Sequence, residues 1–304
     1  MGSEFVMLSL TPILIGVLAA IACAIPGNFL ILRRQALIGD AISHVILPGI
    51  VVAFLITGVI ASMPMFLGAS AAAIVAVILI ELVHRLGRIE PGAAMGVVFT
   101  AMFAAGVLLL EQSDTSSVHL DVEHALFGNL ESLIWLDGYG WAALFDWQAL
   151  ATLPPELFRL AVVTIAIVVF TWVFWRPLKS STFDEAFAQT QGYKTLSLGL
   201  LLVIVAAVAA VAAFDAVGSI IVIAMFICPP AAARLMTNRL EAQVLWSVFF
   251  AVLSAVFGYV LAGYGPMWFG AEHAVSAAGM IATVSGLLLG IAALFGPQRR
   301  SARH

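Results

Sequence analysis

The stretch Leu32–Val51, LRRQALIGDAISHVILPGIV, decides how this chain is read. Two arginines, Arg33 and Arg34, lead into an apolar run that carries a carboxylate at Asp40 and an imidazole at His44. An apolar run of roughly 20 residues is long enough to cross a bilayer. Charge inside such a run is costly and marks a functional site by default. Whether that default applies depends on whether the rest of the chain lives in lipid.

It does. Of 304 residues, 63% are hydrophobic and 10% are charged, and the mean hydropathy is +1.11. Soluble domains run near 25% charged residues, and one aqueous core could not hide this much apolar surface, so the main solvent is hydrocarbon. Apolar segments follow one another at 8–32, 41–60, 63–84, 92–111, 157–175, 195–214, 216–236, 242–263 and 274–296. The expected fold is therefore all-α: a polytopic membrane helix bundle of nine spans. Eight spans, with the second re-entrant, is the competing count. The weaker stretch 125–153 reads as short or interfacial helices, with Trp135, Trp141 and Trp147 at headgroup depth. The opening MGSEFV (1–6) has the look of an expression scar, leaving 7–304 as a single transmembrane domain with an outer region 111–156 and a cytoplasmic loop 178–194.

The basic residues orient the bundle. With nine spans and the N-terminus outside, Arg33, Arg34, Arg85, Arg88, Arg176, Lys179, Lys194, Arg234, Arg239, Arg299, Arg300 and Arg303 all fall on the cytoplasmic side, as does the C-terminus. Arg159 alone falls outside. That separation is the positive-inside rule at work.

Several functions are excluded by what the chain lacks. No G-x-x-x-x-G-K-[ST] loop is present to bind a nucleotide, and no HExxH or paired-cysteine zinc spacing occurs. The basic residues are too few, and too confined to one side, for nucleic-acid binding. Cys23 and Cys228 lie in apolar runs and read as small buried hydrophobes. The polar residues within and between the spans must carry the function.

Asp40 and His44 are four residues apart, which puts both on one helix face. Carboxylate with imidazole suits Mn²⁺, Fe²⁺ or Zn²⁺, where calcium would ask for oxygen alone and structural zinc for thiolates. A plainer reading makes Asp40 the N-cap of span two, after Gly39, with His44 giving one hydrogen bond. Two ligands are too few for a tight cage, so a dimer partner would complete the set. STFDEAFAQTQGYK (181–194) carries Phe183, Asp184, Glu185 and Phe187 and ends its pattern at Gly192. It reads as a solvated loop or as a two-turn helical knob for a groove on a soluble partner. In DAVGSIIVIAMFICPPAAARL (215–235), Pro229 and Pro230 are expected to break or kink the span, and Asp215 is either a loop residue or a pathway carboxylate. The outer stretch around His119, Asp121, Glu123 and His124, with Glu272 and His273 further on, reads as an acidic surface for a partner protein or as a metal site. Glu81 and His84 are expected to snorkel to the interface.

Taken in order, RRQALIGDAISHVILPG, PGAAMGVVFTAMFAAGVLLL, HALFGNL, FDEAFAQTQGY, VGSIIVIAMFICPPAAARLMTNRL and SAAGMIATVSGLLLGIAALFGP resemble the membrane permease of the zinc/manganese/iron family of ABC importers. The resemblance implies a type II-like importer permease in a bacterial inner membrane. It implies a second permease copy or a paralogous permease, a cytoplasmic ABC ATPase dimer, and a periplasmic or lipoprotein metal-binding protein. It implies that residues at the positions of Asp40 and His44 contact the ion, that 181–194 docks onto the ATPase, and that Asp121, Glu123 and Glu272 meet the binding protein. GPMWFGAEHAVSAAGMIATVSG looks more like the manganese-associated branch. On this reading the chain holds no permanent cofactor, only a transported Mn²⁺, Zn²⁺ or Fe²⁺, and is not itself an enzyme. One rival is a proton-coupled secondary metal transporter working without an ATPase, for which Asp40 and Asp215 are the titrating candidates. Another is an assembly subunit with no ion path.

Overall fold

The computed structural model describes residues 2–58, 62–112, 130–268, 270 and 275–298. Among them no strand occurs. We label the longer helices α1 (Thr11–Leu32), α2 (Ile38–Thr57), α3 (Ser62–Gly87), α4 (Pro91–Gln112), α5 (Pro155–Val173), α6 (Trp175–Phe183), α7 (Glu185–Thr190), α8 (Thr195–Val217), α9 (Ser219–Met236), α10 (Leu240–Trp268) and α11 (Ala277–Phe295). Nine helices among the described residues are long and apolar enough to cross a membrane: all but α6 and α7, with α1 extended back to Val6. The second of them, α2, is a full 20 residues. At 1.5 Å per residue it spans about 30 Å, which favours nine spans over the re-entrant count.

Helix ends are set by local backbone chemistry. After α1, Arg34 takes a left-handed φ of 58°; its N–H donates to the Ile31 carbonyl at 3.0 Å and the Gln35 N–H to the Leu30 carbonyl at 2.8 Å. This is the Schellman closure, ordinarily the place of glycine. Gly218, at φ 80°, divides α8 from α9. The eighth helix therefore runs three residues further than the hydropathy pattern suggests, and Asp215 lies within it rather than in a loop.

By contact the chain forms two compact units. The first comprises Phe29–Val122 and Val169–Ala212. Here α2 packs on α3 and α4 through missing side chains. A Cβ on Gly49 would lie 2.5 Å from the Gly68 carbonyl oxygen, and one on Gly106 would lie 2.9 Å from the Pro48 ring. Such small-residue contacts replace the hydrophobic drive that lipid removes.

The second unit comprises Met1–Asn28, Glu123–Val168 and Ala213–His304. Its core is α9, α10 and α11 with the first part of α1. Asn28, fully buried, donates to the Ala24 carbonyl (2.7 Å) and to Ser247 Oγ (2.6 Å). The Glu131 carboxylate accepts the Ala277 N–H at 2.5 Å, placing negative charge at the N-terminus of α11 where the helix dipole favours it.

Two expectations are corrected in this unit. Trp135 is not an interfacial anchor. It is 1% exposed and donates Nε1–H to the Ala149 carbonyl at 2.9 Å, while Trp141 and Trp147 do stay exposed. The tandem prolines do not interrupt α9, which runs unbroken through Pro229 and Pro230. Pro230 denies an N–H to the Phe226 carbonyl four residues earlier. That carbonyl instead faces the Gly27 backbone so closely that a Cβ there would sit 2.5 Å away.

Substituting Gly49→Val should therefore lower the melting temperature of the detergent-solubilised protein, at a cost of about 1–3 kcal/mol for overpacking. Gly96→Ala on α4, where a Cβ meets nothing within 4 Å, should leave it unchanged. Differential scanning fluorimetry of the two variants side by side checks the pair.

Candidate functional site

α2 opens with Leu37 as its N-cap, in helical conformation and without a side-chain bond. Asp40 is consequently not the cap but the third residue of the helix, in its first turn. Its carboxylate still benefits from the dipole there, yet it spends no lone pair on capping. One turn later the His44 Nε2 lies 3.6 Å from Asp40 Oδ1. Both side chains are partly open, at 41% and 39% exposure.

The imidazole is held in place by aromatics on α4. Phe99 stacks on it with ring centres 5.4 Å apart and planes 23° off parallel, and Phe103 meets it edge-on at 5.8 Å. Two neighbouring ligands on one metal, each bound at ordinary carboxylate or imidazole distance, stand about 3.1–3.4 Å apart. The pair is therefore close to the separation a shared divalent ion would impose. Pro48, one turn further along α2, cannot donate to the His44 carbonyl four residues before it. No group of three His, Cys, Asp or Glu side chains suited to a metal occurs among the described residues. Among the described residues the pair stands as two side-chain donors.

The polar segment after α5 is more structured than the loop reading implies. α6 and α7 meet at Asp184, which has extended φ and ψ and accepts the Phe187 N–H at 2.9 Å as the N-cap of α7. α7 ends at Gly192, φ 83°, where Gly192 N–H reaches the Gln189 carbonyl (2.9 Å) and Tyr193 N–H the Ala188 carbonyl (3.1 Å). Ala188 is buried beneath, while Phe183 and Phe187 stand 55% and 54% exposed. Glu185 occupies the first turn of α7. The result is a small, doubly capped knob with two aromatic rings outward.

Arg33 has a role that counting charges for topology does not reveal. Its Nε donates to Thr182 Oγ1 at 3.1 Å and its Nη2 to Ser181 Oγ at 2.8 Å, tying the end of α1 to the base of the knob. Burial pushes the guanidinium below its ordinary range, and the Glu185 carboxylate partly offsets this. The only signal in the sequence was an arginine next to a span end with hydroxyls in a distant polar segment, which is too common to single out.

The other candidates separate. Asp215 forms an ion pair with Arg159 of α5, and Glu156 lies 3.8 Å from the same guanidinium. Arg159, the one basic residue out of step with the topology expected from the sequence, thus has carboxylates beside it, and Asp215 forms an ion pair with it. Pro229 and Pro230 are buried within α9. Glu81 pairs with Arg85 one turn on, and His84 Nδ1 lies 2.6 Å from the Ile89 carbonyl. Asp121, Glu123, Glu272, His119, His124 and His273 lie outside the described residues.

Nine apolar helices among the described residues, the second carrying a partly open carboxylate–imidazole pair, with a capped knob outside the spans, are the build of a helical membrane permease. The chain belongs to the ABC 3 transport family, whose model matches residues 6–137 and 143–295. It is 38% identical to the manganese transport system membrane protein MntD of Bacillus subtilis, over 93% of this chain and 90% of that one. It is 34% identical to the zinc transport system membrane protein TroD of Treponema pallidum, over 96% and 75%. Among solved structures it resembles PsaBC from Streptococcus pneumoniae, solved in complex with Fab, with TM-score 0.74 and 26% identity over 95% of this chain and 92% of that one.

The knob should depend on its caps. Asp184→Ala removes the bond to the Phe187 amide, and a lost N-cap costs about 1 kcal/mol. Hydrogen exchange of the α7 amides should accelerate roughly fivefold on that account, with the amides of α8 unaffected in the same spectra.

Proposed function

We propose that this chain is the permease subunit of an ATP-driven importer of divalent transition metal ions, with Mn²⁺ the favoured cargo and Zn²⁺ or Fe²⁺ the alternatives. It sits in a bacterial inner membrane and pairs with a second copy or a paralogous permease. A cytoplasmic ABC ATPase dimer supplies the energy, and a periplasmic or lipoprotein metal-binding protein delivers the ion to the outer face. The observation that carries the metal reading is the Asp40–His44 pair, 3.6 Å apart on one face of α2, in a chain of the ABC 3 transport family.

The residues perform the passage as follows. A bare divalent ion cannot enter hydrocarbon, so part of its water must be exchanged for protein donors along a path open to one side at a time. Asp40 offers charge and His44 a nitrogen that favours transition metals over Ca²⁺ and Mg²⁺. Phe99 and Phe103 hold the imidazole on the face it shares with Asp40. With two side-chain donors per chain the ion is held loosely enough to leave, and a facing permease brings the second pair. The α7 knob, presenting Phe183 and Phe187, docks in a groove on the ATPase. Asp121, Glu123 and Glu272 serve the binding-protein face. Membership of the ABC 3 transport family supports this reading over a proton-coupled carrier working without an ATPase.

Asp40→Ala and His44→Ala should each reduce metal uptake by the assembled importer at least tenfold, as loss of one of few ligands implies, while the spans stay folded and the ATPase stays bound. Normal ⁵⁴Mn uptake in both variants would reduce the pair to a structural feature. Deleting Asp184–Gln191 should release the ATPase on co-purification. Transport of Mn²⁺ into liposomes by the purified chain alone, without ATP, would overturn the importer reading.

A further inference from the structure

The first unit contains a cavity of about 480 Å³ that lies off the metal-compatible face of α2. One wall is the stripe Ile38, Ala41, Ile42 and Val45, on α2 positions a third of a turn from Asp40 and His44. The opposite wall includes Leu200 and Val203 of α8. Seven residues of helix rise about 10 Å, so the apolar part of the cavity reaches that far along the span from its arginine end.

The mouth is polar. Arg33, Arg85, Ser181 and Thr182 stand there with Glu81 and Glu185. The charges do not cancel alike. Arg85 is paired with Glu81. Arg33 is partly buried and hydrogen-bonded to two neutral hydroxyls; Glu185 acts on it through space, but no carboxylate among the described residues lies within 4.0 Å to form an ion pair with it. Gly199 leaves room for the guanidinium; a Cβ there would stand 3.2 Å from Nη1. A guanidinium held by two hydroxyls at the headgroup end of an apolar slot is complementary to a phosphate with hydrocarbon attached.

We propose that this cavity binds one anionic phospholipid from the leaflet on the arginine side, its phosphate on Arg33 and an acyl chain along the 38–45 stripe. The hydrocarbon-lined depth selects a lipid over free phosphate, and an arginine held by hydroxyls without a direct ion pair selects a headgroup phosphate. The bound lipid wedges α2 from behind the face that carries Asp40 and His44, and it touches Ser181 and Thr182 at the base of the α7 knob.

The test is native mass spectrometry of the full purified chain released from nanodiscs of equal parts phosphatidylglycerol and phosphatidylcholine. One phosphatidylglycerol per chain should survive activation that strips the other lipids. Arg33→Gln should lower that adduct by about tenfold or more, as loss of a charge-assisted phosphate contact implies. Val203→Phe, which fills the slot and leaves Arg33 in place, should do the same. Arg34→Gln, an exposed neighbour outside the cavity lining, should leave it intact. Should Arg33→Gln not yield a monodisperse protein, Val203→Phe decides alone. Equal retention of phosphatidylcholine, an adduct unchanged by Val203→Phe, or displacement by millimolar inorganic phosphate would each overturn the assignment. None of these outcomes depends on which ion is carried.

Discussion

A backbone carbonyl in hydrocarbon has no water to fall back on, and leaving it unpaired costs several kcal/mol. That constraint governs how this bundle uses proline. Pro26, Pro48, Pro229, Pro230 and Pro266 all lie inside spans, and each withholds an N–H from the carbonyl four residues earlier. Pro266 strands Ala262, whose oxygen accepts the Val275 N–H at 3.1 Å, so the segment leading into α11 repairs α10. Pro230 strands Phe226, whose oxygen abuts Gly27. In that second case the repair is a close approach of backbones, which only a residue without a side chain allows. Pro48 in the same way withholds its N–H from the carbonyl of His44.

The same unit shows how a charge at a span end becomes a mechanical part. Arg33 cannot drift to solvent as a snorkelling arginine would, because Arg34 closes α1 in the left-handed conformation at a strain of about 1–2 kcal/mol for a residue with a Cβ. The turn is thereby fixed, and Arg33 is aimed at Ser181 and Thr182. A shift of the α6–α7 knob must therefore either drag the end of α1 or break two hydrogen bonds to a charged group, each stronger than a neutral one. The knob is not a loop hung on the bundle but an extension of its first turn.

The span count and, as one of two readings, a two-turn helix ending at Gly192 were legible in the sequence, because hydropathy over 20 residues and a glycine stop are local signals, whereas the Asp184 cap was not read there. The proximity of Asp40 and His44 was legible for the same reason, being one helical turn. Long-range partners were not. Nothing local announces that Arg159 meets Asp215, 56 residues on, or that Glu131 caps α11. Trp135 was misplaced because its indole looks equally suited to a headgroup layer and to a buried niche, and only the carbonyl of Ala149 decides between them. Of the two readings of the tandem prolines, a break or a kink, the break is excluded: the packing of α9 in the second unit keeps both prolines buried and the helix continuous.

Two donors on one face also constrain the assembly around them. A site that must release its ion on every cycle cannot be a four-ligand cage, since structural zinc sites of that kind bind with about 10–16 kcal/mol. Nor can a lone pair of donors replace enough water to let a divalent ion pass a low-dielectric span. In the importer proposed above, two half-sites that join only transiently would meet both demands: four donors while the faces are together, two once they part. Phe99 and Phe103 of α4, packed on His44, would serve such a transient site, because an imidazole already oriented loses little entropy on each engagement.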